Sequence, residues 1–253
     1  MPIETTADLE ALTAAGRVAW KALDAMVAAV RPGISTAELN EIGAREIRRL
    51  GARAAPMIDA GFPAECCISV NDAIAHGVPG PYVLTARDLV NIDVSVELHG
   101  FYADNGASVA VGNHDAEMAR LCDAGRRTLA SALAAVRAGD LLNRIGLAAE
   151  RTASASGFEV IRELCGHGVG RSLHEYPGQV CSFYEPSDRR VMTEGMVLAI
   201  EPFVSTGARG VRRAADGWTL STDDGGLAVQ YEHTVVVTRA GALVVTAPEP
   251  YTL

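Results

Sequence analysis

The stretch LVNIDVSVELHGFYADNG, Leu89 to Gly106, predicts a β-hairpin that carries one acidic residue in each arm. Its first arm alternates apolar and polar residues, which is the pattern of a strand with one buried face. A two-residue turn at Leu98-His99 would place Asp93 directly opposite Asp104 on the same face. Because like charges that face each other destabilise a sheet, this arrangement needs an explanation.

Three arrangements would relieve the repulsion: both carboxylates face water, one is protonated, or a cation lies between them. A solvated polar face is common in amphipathic hairpins, so the rest of the chain must decide. In GMVLAIEPFV, Glu201 directly follows a continuous apolar run and precedes Pro202. Glu232 lies within the β run LAVQYEHTVVVT. A buried charge without a partner costs several kcal/mol. Four acids in such places therefore favour a cation.

The segment CGHGVGRSLHEYP, Cys165 to Pro177, adds a nitrogen ligand. Glycines on both sides of His167 let the backbone approach another group closely and leave the imidazole unobstructed. Two Asp, two Glu and one His form an oxygen-rich set that can bridge two divalent ions about 3.5–4 Å apart. Cys165 could be a thiol nucleophile, but an inert small apolar role is the simpler interpretation.

Composition limits the partners and the compartment. The 253 residues carry a net charge of -9, which argues against nucleic acid and anionic membranes. The chain shows neither a secretory signal at its start nor an apolar run of transmembrane length. Its five cysteines have no C-x-x-C spacing, which favours reduced thiols in a cytoplasmic protein over disulfides or a zinc knuckle.

Apolar periodicity and capping signals predict four helices. They run over 6–31, from the Ser35-x-x-Glu38 capping box to about 50, from near Asp115 to about 136, and from an Asp140 cap to about 156. Strand-like and loop segments are expected at 57–111, and mostly strands and turns from about 157 to 253.

A weak internal repeat relates the two helix pairs. VRPGISTAELNEIG, residues 30–43, resembles VRAGDLLNRIG, residues 136–146. It predicts two similar α,α,β halves, about 7–111 and 114–240, related by a pseudo-two-fold axis within one domain. The alternative is coincidence between two helix-stop signals, because glycine after a helix is common.

The five candidate ligands, in this order and in these motifs, resemble those of type I methionine aminopeptidases. The motifs are Asp93 and Asp104 in the hairpin, His167 in GHGVGR, Glu201 in IEP and Glu232 in QYEHT. That family belongs to the pita-bread metallopeptidases, and the resemblance extends from about residue 7 to 238. It implies an α+β fold, a single catalytic domain over 1–253, and two pseudo-symmetric αβ halves with antiparallel sheet around a central metal site.

The resemblance also implies the chemistry. Asp93 would bind one of two divalent ions (Mn, Fe, Co or Zn), Asp104 and Glu232 would bridge both, and His167 and Glu201 would complete the other shell. A metal-bridging hydroxide would attack the carbonyl of an N-terminal methionine, with Glu201 as the proton shuttle. The substrates would be peptides and nascent proteins with a small second residue.

Further roles follow from the same resemblance. His174 would stabilise the oxyanion and His76 would bind the scissile amide nitrogen, both in contact with substrate. Phe62, Cys67 and Trp218, together with His76, would line the methionine pocket. Taken alone, a loop histidine is usually solvated and Trp218 could be a surface residue. His99, His114 and His233 match no functional position.

Two single residues and one short segment depart from the family pattern. Asp59 stands where the family commonly has an aromatic residue, and Leu173 replaces a usual Phe. Ala103-Asp104-Asn105-Gly106 replaces Gly-Asp-Thr/Ser. All five ligands are present, so these changes bear on the shape of the pocket and on turnover.

Two alternatives share the fold. An X-Pro aminopeptidase or dipeptidase uses the same ligands, but such enzymes usually carry an additional N-terminal domain. A non-catalytic binding protein would be marked by lost ligands, and none is lost here. The expectation is therefore a short, bacterial-type enzyme that acts as a monomer in the cytoplasm on peptide N-termini.

Overall fold

The computed structural model describes residues 2–112 and 116–252. The helices in these ranges are α1 (Thr6–Ala29), α2 (Thr36–Arg49), α3 (Ala55–Ala60), α4 (Ala116–Ala134) and α5 (Asn143–Ala155). The strands before α4 are β1 (Arg53–Ala54), β2 (Cys67–Val70), β3 (Ala73–Ala75), β4 (Leu89–Leu98) and β5 (Phe101–Ala110). Those after α5 are β6 (Glu159–Val160), β7 (Cys165–Gly168), β8 (Glu175–Cys181), β9 (Val197–Ile200), β10 (Phe203–Ser205), β11 (Val211–Arg213), β12 (Leu220–Thr222), β13 (Ala228–Gln230), β14 (His233–Val237), β15 (Ala242–Val244) and β16 (Tyr251–Thr252).

Both N-terminal helices begin with a capping box. The Thr5 hydroxyl accepts a hydrogen bond from the Asp8 backbone N–H at 3.1 Å, and the Asp8 carboxylate accepts one from the Thr5 N–H at 3.2 Å. Ser35 and Glu38 exchange the same two bonds at the start of α2. The predicted capping box is thus confirmed, and such a cap contributes about 1 kcal/mol.

Two features of the N-terminal region differ from the prediction. Helix α1 ends at Ala29 rather than near 31, because Val30 is extended and the proline at 32 disfavours helical backbone just before it. Helix α3 lies in a region expected to be strand-like or loop, since six residues are too few to show an apolar period. Gly61, at φ 69°, ends α3 in the left-handed conformation.

The predicted Asp140 cap is wrong. Helix α5 begins at Asn143, and the residue before it, Leu142, makes no side-chain capping bond. Asp140 is held instead by its backbone, because its carbonyl accepts from the Met192 N–H at 2.9 Å. A long-range contact therefore overrides a local signal. The predicted start of α4 near Asp115 falls outside the described residues.

Strands β4 and β5 form the predicted hairpin, but with a different turn. Leu98 pairs with Phe101, so the turn is His99-Gly100 rather than Leu98-His99. Both turn residues have positive φ, 52° for His99 and 82° for Gly100. A two-residue hairpin turn of this kind needs positive φ at both positions, and glycine adopts it without strain.

This turn changes how the two hairpin acids meet. Asp93 faces Gly106, whereas Asp104 faces Ser95, so the predicted direct pairing of Asp93 with Asp104 is wrong. The two carboxylates are diagonal neighbours on the same face of the sheet. They are still close enough to interact, and the electrostatic problem remains.

The site lies where two antiparallel sheets meet. Strand β4 pairs with β1, β2 and β5, and a six-stranded sheet has the order β16-β15-β14-β9-β7-β8. The Asp104 N–H donates to the Thr234 hydroxyl at 2.8 Å, and that hydroxyl donates to the Asp104 carbonyl at 2.8 Å. The Glu232 N–H donates to the Gly106 carbonyl at 2.9 Å. Strands β5 and β14 are thereby joined.

Two apolar clusters flank this junction. One packs α1 and α2 against β4 and β5, and the other packs α4 and α5 against β9 and β14. Both consist mainly of Ala, Val, Leu and Ile, in keeping with a chain that is only 5% aromatic. The boundaries of the two halves stay a prediction. Within 2–112 and 116–252, none of the helices is long and apolar enough to cross a membrane.

Candidate metal centre

Side chains from both sheets converge at the junction. The residues are Asp93 in β4, Asp104 in β5, His167 in β7, Glu201 just after β9 and Glu232 just before β14. The antiparallel register of β9 and β14, continued by one residue, places Glu201 opposite Glu232. Strand β7 pairs with β9, with His167 facing Ala199, so the imidazole lies on the same side of the junction.

His167 lies between two carboxylates. Its Nε2 is 3.7 Å from Asp104 Oδ2 and 3.4 Å from Glu201 Oε1. One ligand atom each from Asp104, His167 and Glu232 lie within 4.8 Å of one another. Atoms that share a divalent ion lie about 2 Å from it and hence no more than about 4 Å apart. Small movements of these side chains would therefore bring the three ligand atoms within reach of one divalent ion.

Two of the carboxylates have one oxygen held by the protein. Asp104 Oδ1 accepts from the Ser95 hydroxyl at 2.8 Å and from the Asn105 N–H at 3.0 Å. Glu232 Oε2 accepts from Gln230 Nε2 at 2.8 Å. These bonds fix the orientation of each carboxylate, as the hydrogen-bond partners of metal ligands commonly do.

Other carboxylate oxygens have no protein partner. Asp93 Oδ1 and Glu232 Oε1 are buried and lack a hydrogen bond to any part of the chain that the structure describes. Each buried polar atom left in this way costs about 1–3 kcal/mol. A divalent cation would satisfy both oxygens, and the donor set of carboxylates and imidazole suits such an ion. The residues thus fit a metal site.

The electrostatics of the cluster agree with this fit. Burial raises the pKa values of Asp93, Glu201 and Glu232 well above those of ordinary carboxyl groups. The neighbouring Asp104 carboxylate raises all three further, because like charges disfavour ionisation. Without a cation, burial and mutual repulsion therefore favour the protonated form of these groups.

Two further histidines, His174 and His76, interact with residues of the cluster. The rings of His167 and His174 have centroids 4.2 Å apart. The pKa of His174 is lowered mainly by burial and secondly by the His167 imidazole. The pKa of His76 is lowered mainly by burial and secondly by His174. Both rings are therefore neutral near pH 7, and each can donate one hydrogen bond. His76 also has a φ of 52°, a strained backbone that is often found at functional sites.

Three of the four residues predicted to line the methionine pocket form an apolar cluster beside Asp93. The rings of Phe62 and Trp218 meet edge to face, with centroids 5.3 Å apart. Cys67 belongs to the same cluster and pairs with Asp93 in the β2–β4 register. Three of the predicted pocket residues are thus brought together, next to a candidate ligand.

Sequence reasoning missed several residues of this region. Ser95, Gln230 and Thr234 bond to the ligand residues, and Ala64 and Val78 complete the apolar cluster. The first three are separated from Asp93 or Glu232 by two positions, so the alternation of a strand could have found them. The other two are ordinary apolar residues in loops and offer no signal.

The two described histidines that matched no functional position have other surroundings. His233 Nδ1 is 2.9 Å from the Thr246 hydroxyl, and burial lowers its pKa to about 4. His99 is an exposed turn residue. His114 lies outside the described residues.

Asp59 and Leu173, two residues that depart from the expected pattern, contact each other. Asp59 Oδ2 accepts from the Leu173 N–H at 3.1 Å, and Asp59 Oδ1 accepts from the Tyr102 hydroxyl at 3.1 Å. Because Leu173 immediately precedes His174, Asp59 ties the segment that carries this histidine to β5. The two residues that depart from the family pattern are therefore joined by a hydrogen bond.

Comparison with known proteins defines the class. The chain matches the model of metallopeptidase family M24 over residues 10–239, and it belongs to this family. A divalent metal ion is accordingly part of its chemistry, and the fold is the α+β pita-bread fold expected from the sequence.

Individual relatives are more specific. The chain is 41% identical to a methionine aminopeptidase from Staphylococcus epidermidis over 247 residues, 97% of this chain and 98% of that protein. The crystal structure of methionine aminopeptidase from Rickettsia prowazekii matches with a TM-score of 0.93 and 33% identity, covering 98% of this chain and all of that one (100%). A prolidase from Pyrococcus furiosus shares the fold, with a TM-score of 0.78 and 23% identity over 98% of this chain and 66% of its own.

Proposed function

We propose that the protein is a methionine aminopeptidase that removes the N-terminal methionine from peptides and nascent proteins with a small second residue. The observation that carries the proposal is the apolar cluster of Phe62, Cys67 and Trp218 beside the candidate metal ligands. Cys67 faces Asp93 across two paired strands. A methionine side chain is flexible and apolar, so it suits this cluster and would bring its carbonyl to the metal centre.

The metal site of the proposal would hold two divalent ions. The ligands would be Asp93, Asp104, His167, Glu201 and Glu232. An oxygen-rich set with one imidazole accepts Mn, Fe, Co or Zn, and availability decides between them. Ions bound there would act as Lewis acids towards the scissile carbonyl and lower the pKa of water.

The chain's own groups would bind the substrate and move the proton. The Glu201 carboxylate, 3.4 Å from His167, would take the proton of the attacking water and pass it to the leaving amine. The neutral His174 ring would donate to the oxygen that becomes negative, a contact often worth 10²–10³-fold in rate. His76 would bind the scissile amide nitrogen.

The proposal extends to assembly and compartment. A single catalytic domain would act as a monomer in the cytoplasm, on free peptide N-termini rather than on nucleic acid or membranes. The net charge of -9 and the thiol state of the five cysteines support this extension. Light scattering of the purified chain over a range of concentrations tests whether the protein is a monomer.

A comparison of substrates tests the proposed function. With added Mn²⁺, Co²⁺ or Fe²⁺, we expect release of methionine from Met-Ala-Ser and no cleavage of a matched X-Pro peptide. A chelator should abolish the release, and metal should restore it. Mass spectrometry of the products provides the measurement.

The X-Pro alternative makes the opposite prediction for the same experiment. Equal or faster cleavage of the X-Pro peptide would overturn the proposed specificity. If none of the metals supports release of methionine, the non-catalytic alternative is favoured. Met-Trp-Ser is the control for the second residue, because a large side chain there should be a poor substrate.

Replacing Asp59 tests its positioning role. We expect Asp59→Ala to lower kcat for Met-Ala-Ser about fivefold, because it removes the bond to Leu173 and each such bond contributes about 1 kcal/mol. Tyr102→Phe, which keeps the bond to Leu173, is the control and should retain nearly full kcat. Equal rates for the wild type and Asp59→Ala would show that Asp59 does not position His174.

A further inference from the structure

Two free cysteines face each other on neighbouring strands. Cys165 in β7 pairs directly with Cys181 in β8, and their Sγ atoms are 3.6 Å apart. Both residues are partly exposed, whereas Cys66, Cys67 and Cys122 are buried. Neither thiol has a part in the proposed hydrolysis.

We propose that Cys165 and Cys181 are a site of reversible oxidation, at which a low-molecular-weight disulfide such as oxidised glutathione converts them into an intramolecular disulfide. Directly opposed residues on antiparallel strands have Cα atoms about 4.5–5.5 Å apart. Disulfides span Cα distances of about 4.4–6.8 Å, so the backbone already has a suitable spacing. Rotation of the two side chains would suffice to bring the sulfur atoms together.

The reaction is a thiol–disulfide exchange in two steps. The Cys181 thiolate attacks one sulfur of the small disulfide, forms a mixed disulfide and releases one small thiolate. Cys165 then attacks the Cys181 sulfur, the bond from Cys181 to the small thiol breaks, and the Cys165 proton passes to the small thiolate that leaves. Two protein thiols are thereby oxidised, and the small disulfide is reduced to two thiols.

The surroundings of Cys181 suit the first step. A hydrogen bond from the Cys165 thiol, and the positive charge of Arg190, lower the pKa of Cys181 to about 7 in spite of partial burial. A substantial thiolate fraction therefore exists near neutral pH, and the thiolate is the nucleophile. The partial exposure of Cys181 gives the small disulfide access.

The disulfide would close a loop that contains two residues of the candidate site. His167 and His174 both lie between Cys165 and Cys181 in the chain. A crosslink restrains this segment in the unfolded chain more than in the folded one. We therefore expect the oxidised protein to melt about 5 °C above the reduced protein.

Peptide mapping of the full-length chain tests the proposal. The protein is treated with oxidised glutathione, its remaining thiols are alkylated, and it is digested without reductant. Mass spectrometry should find a Cys165–Cys181 peptide pair that disappears on reduction, with alkylated Cys66, Cys67 and Cys122. A mixed glutathione adduct as the end product, or disulfides between chains, would overturn the proposal.

The matched controls are Cys181→Ser and Cys165→Ser. Under oxidation Cys181→Ser should show neither the peptide pair nor the rise in melting temperature, whereas the wild type shows both. The same rise in Cys181→Ser would also contradict the proposal. These readouts need neither substrate nor bound metal, so their outcome is separate from that of the proposed peptidase activity.

Discussion

Replacing Asp104 with asparagine should lower the rate of methionine release by at least about 10³-fold, equivalent to about 4 kcal/mol of transition-state stabilisation. Asp104 Oδ2 lies 3.7 Å from His167 Nε2, while Oδ1 is held by Ser95 and Asn105. The amide keeps the size of the side chain but removes the charge that would bridge two ions. Steady-state kinetics with Met-Ala-Ser and saturating metal provide the measurement.

The matched control is Glu97→Gln in the same hairpin. Glu97 is also a buried carboxylate, but its oxygens accept from Arg53 Nε and from the Gly100 N–H, each at 2.6 Å. We expect this variant to lose some stability and to keep its activity within a few fold. An Asp104→Asn variant with wild-type kcat would remove Asp104 from the metal centre.

The chelated protein should lose stability as the pH rises, and a divalent metal should restore it. In the folded chain the pKa values of Asp93, Glu201 and Glu232 are raised well above their ordinary values, mainly by burial and then by neighbouring charges. In the unfolded chain carboxyl groups titrate near pH 4. The stabilising effect of protonation is therefore complete below about pH 4 and is lost as the pH rises through the folded-state pKa values.

The size of this effect follows from the shifts. Each pKa unit of difference between the folded and unfolded states corresponds to about 1.4 kcal/mol. Urea unfolding in the presence of a chelator, at pH values from about 5 to 8, measures it. Added metal should reverse the loss, because binding to the folded state alone increases the free energy of unfolding.

Asp93→Asn separates this effect from other titrations. Without metal, the variant should be more stable than the wild type at about pH 8, and the difference should shrink towards pH 5. With metal, the order should reverse, because the variant lacks one charged ligand. Equal stabilisation of both proteins by metal would show that Asp93 is not a ligand. Identical pH profiles of the two chelated proteins would show that the carboxylates do not repel each other in the fold.

Much of the candidate site could be predicted because its residues conflict with their local surroundings. Asp93 and Asp104 are acidic residues within strands, Glu201 directly follows an apolar strand and Glu232 directly precedes one. Burying a charge in such a place costs free energy, so an acid there indicates a functional site even in a single sequence. The hydrogen-bond partners Ser95 and Gln230 are polar residues of ordinary type, and only the alternation of the strands marks them.

Features that depend on register could not be predicted with the same success. The hairpin forms as expected, yet its turn lies one residue further along the chain. The residue opposite Asp104 is therefore Ser95 rather than Asp93. The short helix α3 brings Asp59 to Leu173, a contact between residues 114 positions apart. Neither residue alone signals the contact.

The sequence by itself determined the helix starts at Thr5 and Ser35, the hairpin, and the set of five candidate ligands. Capping bonds join residues three positions apart, and an acid in an apolar strand is visible without any partner. The tertiary structure alone decided the diagonal placement of the acids, the Asp59–Leu173 contact and the Cys165–Cys181 pair. These depend on how distant segments dock, as in the bond between Asp104 and Thr234, 130 positions apart. Local energies fix the first group, whereas strand register and the packing of the two sheets fix the second.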